Sequence, residues 1–350
     1  MYTAHARLRL LLLVLTPLEA AATLEFSAGW GLNVGTGANA TWVNLQFGVG
    51  SQVAVQGRQG GLPSLFSLAW TARSPRADPV TGYCPSTIPR FGNTTRCISI
   101  RMDFQEYWRQ TFASLQPFIA NGTYIGIFLG DEHMWNGVSL ADLKTACDAI
   151  KQLWPDAIIY INESQDVANC NFNRLGETVF KEGECFPETL DWFGYDYYDY
   201  DHTYGPEAGW QVQRDGMTNM IYPRLTRAEQ RVVPTTLGFF PHVDPKNATQ
   251  MAEVDAYCVH NAEAFSDWAA VDERIVGLFT FYWVTQPGSF VGMWDMPRCS
   301  AKWVELGRHV VARGSATGVL SRGGGRPGRT RTSCPTPTEK VKHHWCNKHV

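Results

Sequence analysis

The sequence predicts an α/β chain of the (β/α)8 class, a single-domain TIM barrel spanning residues 23–312. Three observations predict it. Strand-like and helix-like segments alternate along this stretch, the pattern of parallel strands joined by right-handed helical crossovers. Most strand-like segments are continuous apolar runs, as expected for parallel strands covered by helices. The chain, at 350 residues, also exceeds the roughly 250 residues that eight such repeats need.

The expected strands are Leu24–Gly29, Ala40–Phe47, Leu62–Trp70, Tyr124–Leu129, Ala157–Ile161, Leu190–Tyr195, Val232–Leu237 and Ile275–Phe281. Four apolar stripes at helical spacing lie between or after them: Phe104 to Leu115, Leu140 to Trp154, Met251 to Trp268 and Trp303 to Val310. Ser139 followed by Asp142 reads as an N-cap with an acidic first turn, and Pro155 ends that helix. The rival is an open doubly wound sheet. Gly29, Gly31, Gly35 and Gly37 follow the first strand, but their spacing is not the GxGxxG of a phosphate loop.

Both ends of the chain differ from this body. Residues 1–22 read as a signal peptide, with Arg7 and Arg9 before an apolar run from Leu10 to Leu15 and then Ala20, Ala21 and Ala22. That run is too short for a membrane span, and no later segment of about 20 apolar residues appears. The mature chain is therefore expected to be secreted. Sequons at Asn39, Asn93, Asn121, Asn162 and Asn247 agree with export. So do the nine cysteines, most of which should pair in an oxidising compartment. Cys84–Cys97 and Cys170–Cys185 are the expected bridges, with Cys147 as the unpaired thiol. From residue 313 to 350 the chain is rich in Gly, Pro, Arg and Lys, lacks apolar periodicity and is expected to be a disordered basic tail. Acidic glycans are the contact that suits such a tail. With a chain total of −3, the body is strongly acidic, which argues against a nucleic-acid partner.

In a parallel barrel the active site lies where the strands end. The third strand ends in Trp70 and the fourth in Gly130-Asp131-Glu132-His133, with Trp135 close behind. The fifth ends in Asn162-Glu163, the sixth in Tyr195-Asp196-Tyr197 and the eighth in Tyr282-Trp283. Carboxylates and aromatic rings thus gather at one rim. That composition suits glycosidic bond cleavage, which needs one carboxylic acid to protonate the leaving oxygen and an anion to support an oxocarbenium-like transition state. Aromatic rings offer platforms for a sugar and, by lowering the local dielectric, keep a neighbouring carboxyl protonated. The candidate catalytic residues are Asp131, Glu132, Asp196 and Glu163. The candidate substrate-binding residues are Trp70, Trp135, Tyr195, Tyr197, Tyr282 and Trp283.

The segment from Tyr124 through Gly130-Asp131-Glu132 resembles the family 20 hexosaminidases, whose fourth barrel strand ends in Gly-Gly-Asp-Glu. Leu129-Gly130 stands here in place of the double glycine. The resemblance implies that Glu132 is the general acid/base and that Asp131 orients a substrate group acting as nucleophile. The expected seventh strand carries no carboxylate, so the anionic partner comes from the substrate, from Glu163 or from Asp196. Asn162-Glu163-Ser164 is also a sequon, so either that sequon is unused or Glu163 lies outside the pocket.

Two other functions compete with a secreted glycosidase that takes a carbohydrate substrate and needs no cofactor. One is a glycan-binding barrel without catalysis. The other is a metal-dependent hydrolase using His133 and His202 with Asp131, Glu132 and Asp201, although neither HxH nor HExxH spacing is present and no metal is expected.

Overall fold

The computed structural model describes residues 26–29, 45–48, 60–63, 65–71, 74–88, 92–196, 205–241, 243–281, 285–286, 288–317 and 334. Residues 1–22, expected to be a signal peptide, lie outside them, as do Asn39, Tyr197, Asp201, His202, Tyr282, Trp283 and most of the expected basic tail. In chain order the framework strands are β1 (Phe26–Gly29), β2 (Leu45–Gly48), β3 (Gly60–Pro63), β4 (Gly126–Asp131), β5 (Ile158–Ser164), β6 (Trp192–Asp196), β7 (Thr235–Leu237) and β8 (Gly277–Phe281). The helices are α1 (Phe66–Ala69), α2 (Phe104–Ala120), α3 (Leu140–Leu153), α4 (Gly205–Gly216), α5 (Ala248–Val271) and α6 (Pro297–Thr317). The described residues form two compact units, one drawn from residues 45–231 with Cys334, the other from residues 1–44 and 232–322.

The first unit is a parallel α/β array. β2 pairs with β3, β4 with β5 and β5 with β6, all parallel. A parallel bridge from Gly61 to Tyr124 joins β3 to β4. Five strands therefore lie side by side in chain order, with α1 and α2 between β3 and β4 and α3 between β4 and β5, the arrangement of right-handed helical crossovers. Ile127, Phe128, Leu129, Ile159, Tyr160, Ile161 and Phe193 are buried along them, and each such side chain contributes about 1.5–3 kcal/mol. Gly126 opens β4 because nothing larger fits: a Cβ there would lie 1.9 Å from the Ile158 carbonyl oxygen. Helices α2 and α3 bury their predicted stripes, including Phe104, Trp108, Leu143, Cys147 and Ile150. Trp108 donates its indole N–H to the Ala149 carbonyl at 3.0 Å. Ser139 caps α3 by accepting the Asp142 N–H, as its spacing predicts. Near the start of β6, Asp191 accepts the Ile159 N–H at 2.9 Å and pairs with Lys151 and Arg227, which ties down the end of the array remote from the site.

In the second unit β8 lies between β1 and β7, again parallel. A disulfide between Cys258 and Cys299 fastens α5 to α6. One turn before Cys258, the buried Asp255 carboxylate accepts the Arg298 and Cys299 N–H groups at 3.2 and 2.7 Å. It thereby caps the N-terminus of α6, where free amides and the helix dipole favour negative charge.

Several expectations need correcting. The third strand stops at Pro63 instead of running to Trp70, because proline has no N–H for the ladder. Phe66–Ala69 turns into a short helix, and Trp70 pairs antiparallel with Ile100. The seventh strand is broken for the same reason at Pro234, into Arg231–Val232 and Thr235–Leu237. The Cys84–Cys97 bridge forms and Cys147 is free and buried. Cys185, however, pairs with Cys334 rather than Cys170, which is itself disulfide-bonded. That bridge, with the Cys334 N–H donating to Gly183 O at 3.3 Å, fixes one point of the segment expected to be a disordered tail. Residues 313–317, also assigned to the tail, are the last turn of α6.

Candidate active site

The site is built where β4 and β5 end. Their register pairs Asp131 with Asn162, after a shift between Phe128 and Gly130 that re-aims the end of β4. Asp131 closes the strand. Glu132 follows with φ +55°, a left-handed conformation rare for a residue with a side chain and costly unless its surroundings impose it. Here they do. The Glu132 N–H donates to Asn162 O at 2.8 Å, and the Glu132 carbonyl accepts from the Asn136 N–H at 2.9 Å and from Asn136 Nδ2 at 2.6 Å. Glu132 and Asp131 are both partly exposed, whereas His133, Met134 and Trp135 behind them are buried.

Residues 133–137 wind into a helical turn whose first amides need acceptors. Glu163 supplies them. Its Oε1 accepts the Met134 N–H at 2.9 Å and its Oε2 the Trp135 N–H at 3.1 Å. Both oxygens of this buried carboxyl are thus engaged by the turn that follows Glu132. Its neighbour Asn162, fully buried, donates Nδ2 to Asp131 Oδ1 at 3.1 Å. His133 Nδ1 accepts the Asp131 N–H at 2.7 Å, which assigns the ring proton to Nε2. The imidazole lies beside Trp70 and Phe66, at centroid distances of 5.7 and 5.2 Å.

The electrostatics follow from this crowding. Burial, then repulsion from Asp131, pushes the Glu132 carboxyl up to about 7; Arg174 pulls it down and Asp166 pushes it further up. Burial raises Asp131 as well, against the Asn162 hydrogen bond. Burial also pushes Glu163 up to about 8, although the Met134 and Trp135 amides favour its charged form. Burial holds His133 down at about 4, so it is neutral at pH 7.

The structure therefore brings Asp131, Glu132 and Glu163 together. Asp196 ends β6, in register with Ser164 of β5, and is buried. The three described rings expected as sugar platforms lie inside the unit. Trp70 is 4% exposed and donates its indole N–H to Leu129 O at 2.6 Å. Trp135 is 6% exposed, with its ring 6.0 Å from Phe172. Tyr195 is fully buried, and its hydroxyl donates to the Gln213 carbonyl. All three rings are thus covered by protein in this conformation. Asp166 and Arg174 were not singled out from the sequence. Asp166 begins a five-residue π-turn directly beyond β5, a distortion frequent at functional sites. Arg174 donates to Asn136 Oδ1 at 2.6 Å, and its N–H to Trp135 O at 3.0 Å. Among the described residues, no group of three or more His, Cys, Asp or Glu side chains could hold a metal ion.

No protein-family model and no curated protein matches the chain. Solved structures similar to it include xylanase 10B from Thermotoga maritima, with 10% identity, TM-score 0.46 and coverage of 85% of this chain and 98% of that one. A GH10 xylanase from Thermobacillus composti follows, with 9% identity, TM-score 0.45 and coverage of 82% and 99%. An exo-β-1,4-mannosidase from Opitutaceae bacterium strain TAV5 has 16% identity, TM-score 0.42 and coverage of 73% of this chain, which spans only 46% of that one. None of these three is a family 20 hexosaminidase. At these scores the likeness assigns neither family nor activity to this chain.

Proposed function

We propose that the chain is a glycoside hydrolase of the (β/α)8 class, secreted and acting on a carbohydrate, in which Glu132 is the general acid/base and Asp131 its partner. The observation that carries this reading is the state of Glu132. It stands at a parallel strand's C-terminal end, partly exposed, in an enforced left-handed conformation, with its carboxyl pushed up to about 7. A carboxyl with that pKa is still substantially protonated near neutrality and, once ionised, is a competent base. It donates its proton to the glycosidic oxygen as the bond to the anomeric carbon breaks, and then takes one from the incoming nucleophile.

Asp131 supplies negative charge beside the developing oxocarbenium ion or orients the attacking group. Asn162 fixes its carboxylate. Glu163 is a positioning residue in this reading: both its oxygens are committed to the Met134 and Trp135 amides, so it shapes the turn and does not attack the sugar. His133, neutral and packed on Trp70, holds the Asp131 backbone. Asp196 remains a candidate anion on the neighbouring strand, and Asp166 joins it through its effect on Glu132.

The test is turnover across a panel of chromogenic glycosides that includes N-acetylglucosaminides, xylosides and mannosides. Release of the chromophore from at least one supports the reading. Glycan-array binding with no release from any substrate would favour a carbohydrate-binding protein instead.

A further inference from the structure

Four Asn-x-Ser/Thr triplets begin within the described residues, and the structure treats them unequally. Asn93 is exposed, on the turn bracketed by the Cys84–Cys97 disulfide, where its carbonyl accepts the Ser86 N–H at 3.0 Å. Asn121 is exposed at the C-terminal end of α2, and its Oδ1 accepts the Thr123 N–H at 3.0 Å. Asn247 is exposed as the N-cap of α5, and its Oδ1 accepts from Thr249 and Gln250 at 3.1 and 3.2 Å. In the last two the oxygen is held against the chain. Because the carboxamide is planar, Nδ2 then points the other way. Asn162 is the reverse case. It is 0% exposed on a strand with parallel neighbours on both sides, and its Nδ2 is the atom that donates to Asp131.

We propose that Asn93, Asn121 and Asn247 are N-glycosylation sites and that Asn162 is a sequon left unmodified in the folded protein because its amide is buried between two strands and committed to Asp131. In the transfer, Nδ2 attacks the anomeric carbon of an oligosaccharide carried on a lipid diphosphate. The C1–N bond forms, the C1–O bond to the diphosphate breaks, one amide proton is lost and the lipid diphosphate departs. The product keeps Oδ1 and one N–H, so the Asn247 cap and the Asn121 turn survive the addition. At Asn162 the added sugar would take the place of the Asp131 contact and force β4 and β6 away from β5, so a chain modified there cannot complete this fold. The proposal assumes passage through a secretory pathway but not catalysis, so it stands or falls apart from the glycosidase reading.

The test uses the full chain secreted from a eukaryotic host. Folded, secreted protein is treated with a peptide amidase that converts glycan-bearing Asn to Asp in 18O-labelled water, and its peptides are weighed. The expected result is the heavy-oxygen mark at Asn93, Asn121 and Asn247 and none at Asn162. A Thr249→Ala variant, exposed and outside the site, should lose one glycan in mass with unchanged folding. A mark at Asn162 in folded protein, or no mark at any of the other three, would overturn the proposal.

Discussion

Asn162 donates from Nδ2 to Oδ1 of Asp131, its register partner on the adjacent strand, over 3.1 Å. The contact ties a fully buried amide to a carboxyl that burial would otherwise drive to its neutral form. Asn162→Asp replaces the donor with a second carboxyl of the same shape. Two adjacent carboxyls must then share a proton. Turnover should fall at least about tenfold, and the melting temperature should drop as pH rises above about 5, where both groups tend to ionise. Kinetics and thermal melts across pH check this.

The rate should also report the charges around Glu132. Its proton-donating form is lost through about 7, so kcat/KM should decline on the alkaline side of that value. Asp166 raises this carboxyl and Arg174 lowers it. Asp166→Asn should therefore move the alkaline limb to lower pH, and Arg174→Gln should move it to higher pH. Shifts in the same direction, or none, would detach these residues from the site.

Glu163 gives a stability signature of its own. Its folded value of about 8 lies above the ordinary 4.5. A raised carboxyl contributes stability that is fully present below the unfolded value and is lost as pH rises through the folded one. The window is thus from about 4.5 to 8. His133 works in the opposite sense: with a folded value of about 4 against 6.5, its contribution disappears as pH falls through that range. Glu163→Gln should flatten the alkaline decline while lowering the melting temperature at mildly acidic pH, because the amide's NH2 end meets a backbone N–H in place of an acceptor. Thermal melts of both proteins between about pH 5 and 8 are the measurement. If Glu163 positions the turn, kcat should fall with little change in KM.

Gly126→Ala tests the strand packing. The new methyl would sit 1.9 Å from the Ile158 carbonyl oxygen, so β4 and β5 would have to separate. Overpacking of this kind costs about 1–3 kcal/mol or more, and urea unfolding should register at least that much.

Much of the framework was legible because burial leaves a direct mark on sequence. The apolar runs around Phe128, Ile159 and Phe193 read as strands, and the stripes on α2 and α3 face the interior as their spacing requires. The strand ends were less legible. Asp131 and Glu163 belong to strands because they pair across to Asn162 and Tyr195, and pairing is not written in local composition. Pro63 and Pro234 were visible, but the runs around them were read as continuous. The bridge from Cys185 to Cys334 spans 149 residues, a separation from which spacing carries no signal. At the site, Gly130-Asp131-Glu132 was conspicuous. The burial of Trp70 and Tyr195 was hidden, since an indole or phenol reads alike whether it faces sugar or a backbone carbonyl. Asp166 was missed because it lies in an irregular turn with no motif around it.

The most direct test of the account is Glu132→Gln assayed on whichever glycoside the wild-type chain turns over. The variant keeps the size of the side chain and removes the proton. Turnover should fall about 10²–10⁴-fold, the usual worth of a positioned acid, and the alkaline limb should disappear from the residual rate, with binding and melting temperature little changed. Equal turnover by both proteins would contradict the assignment.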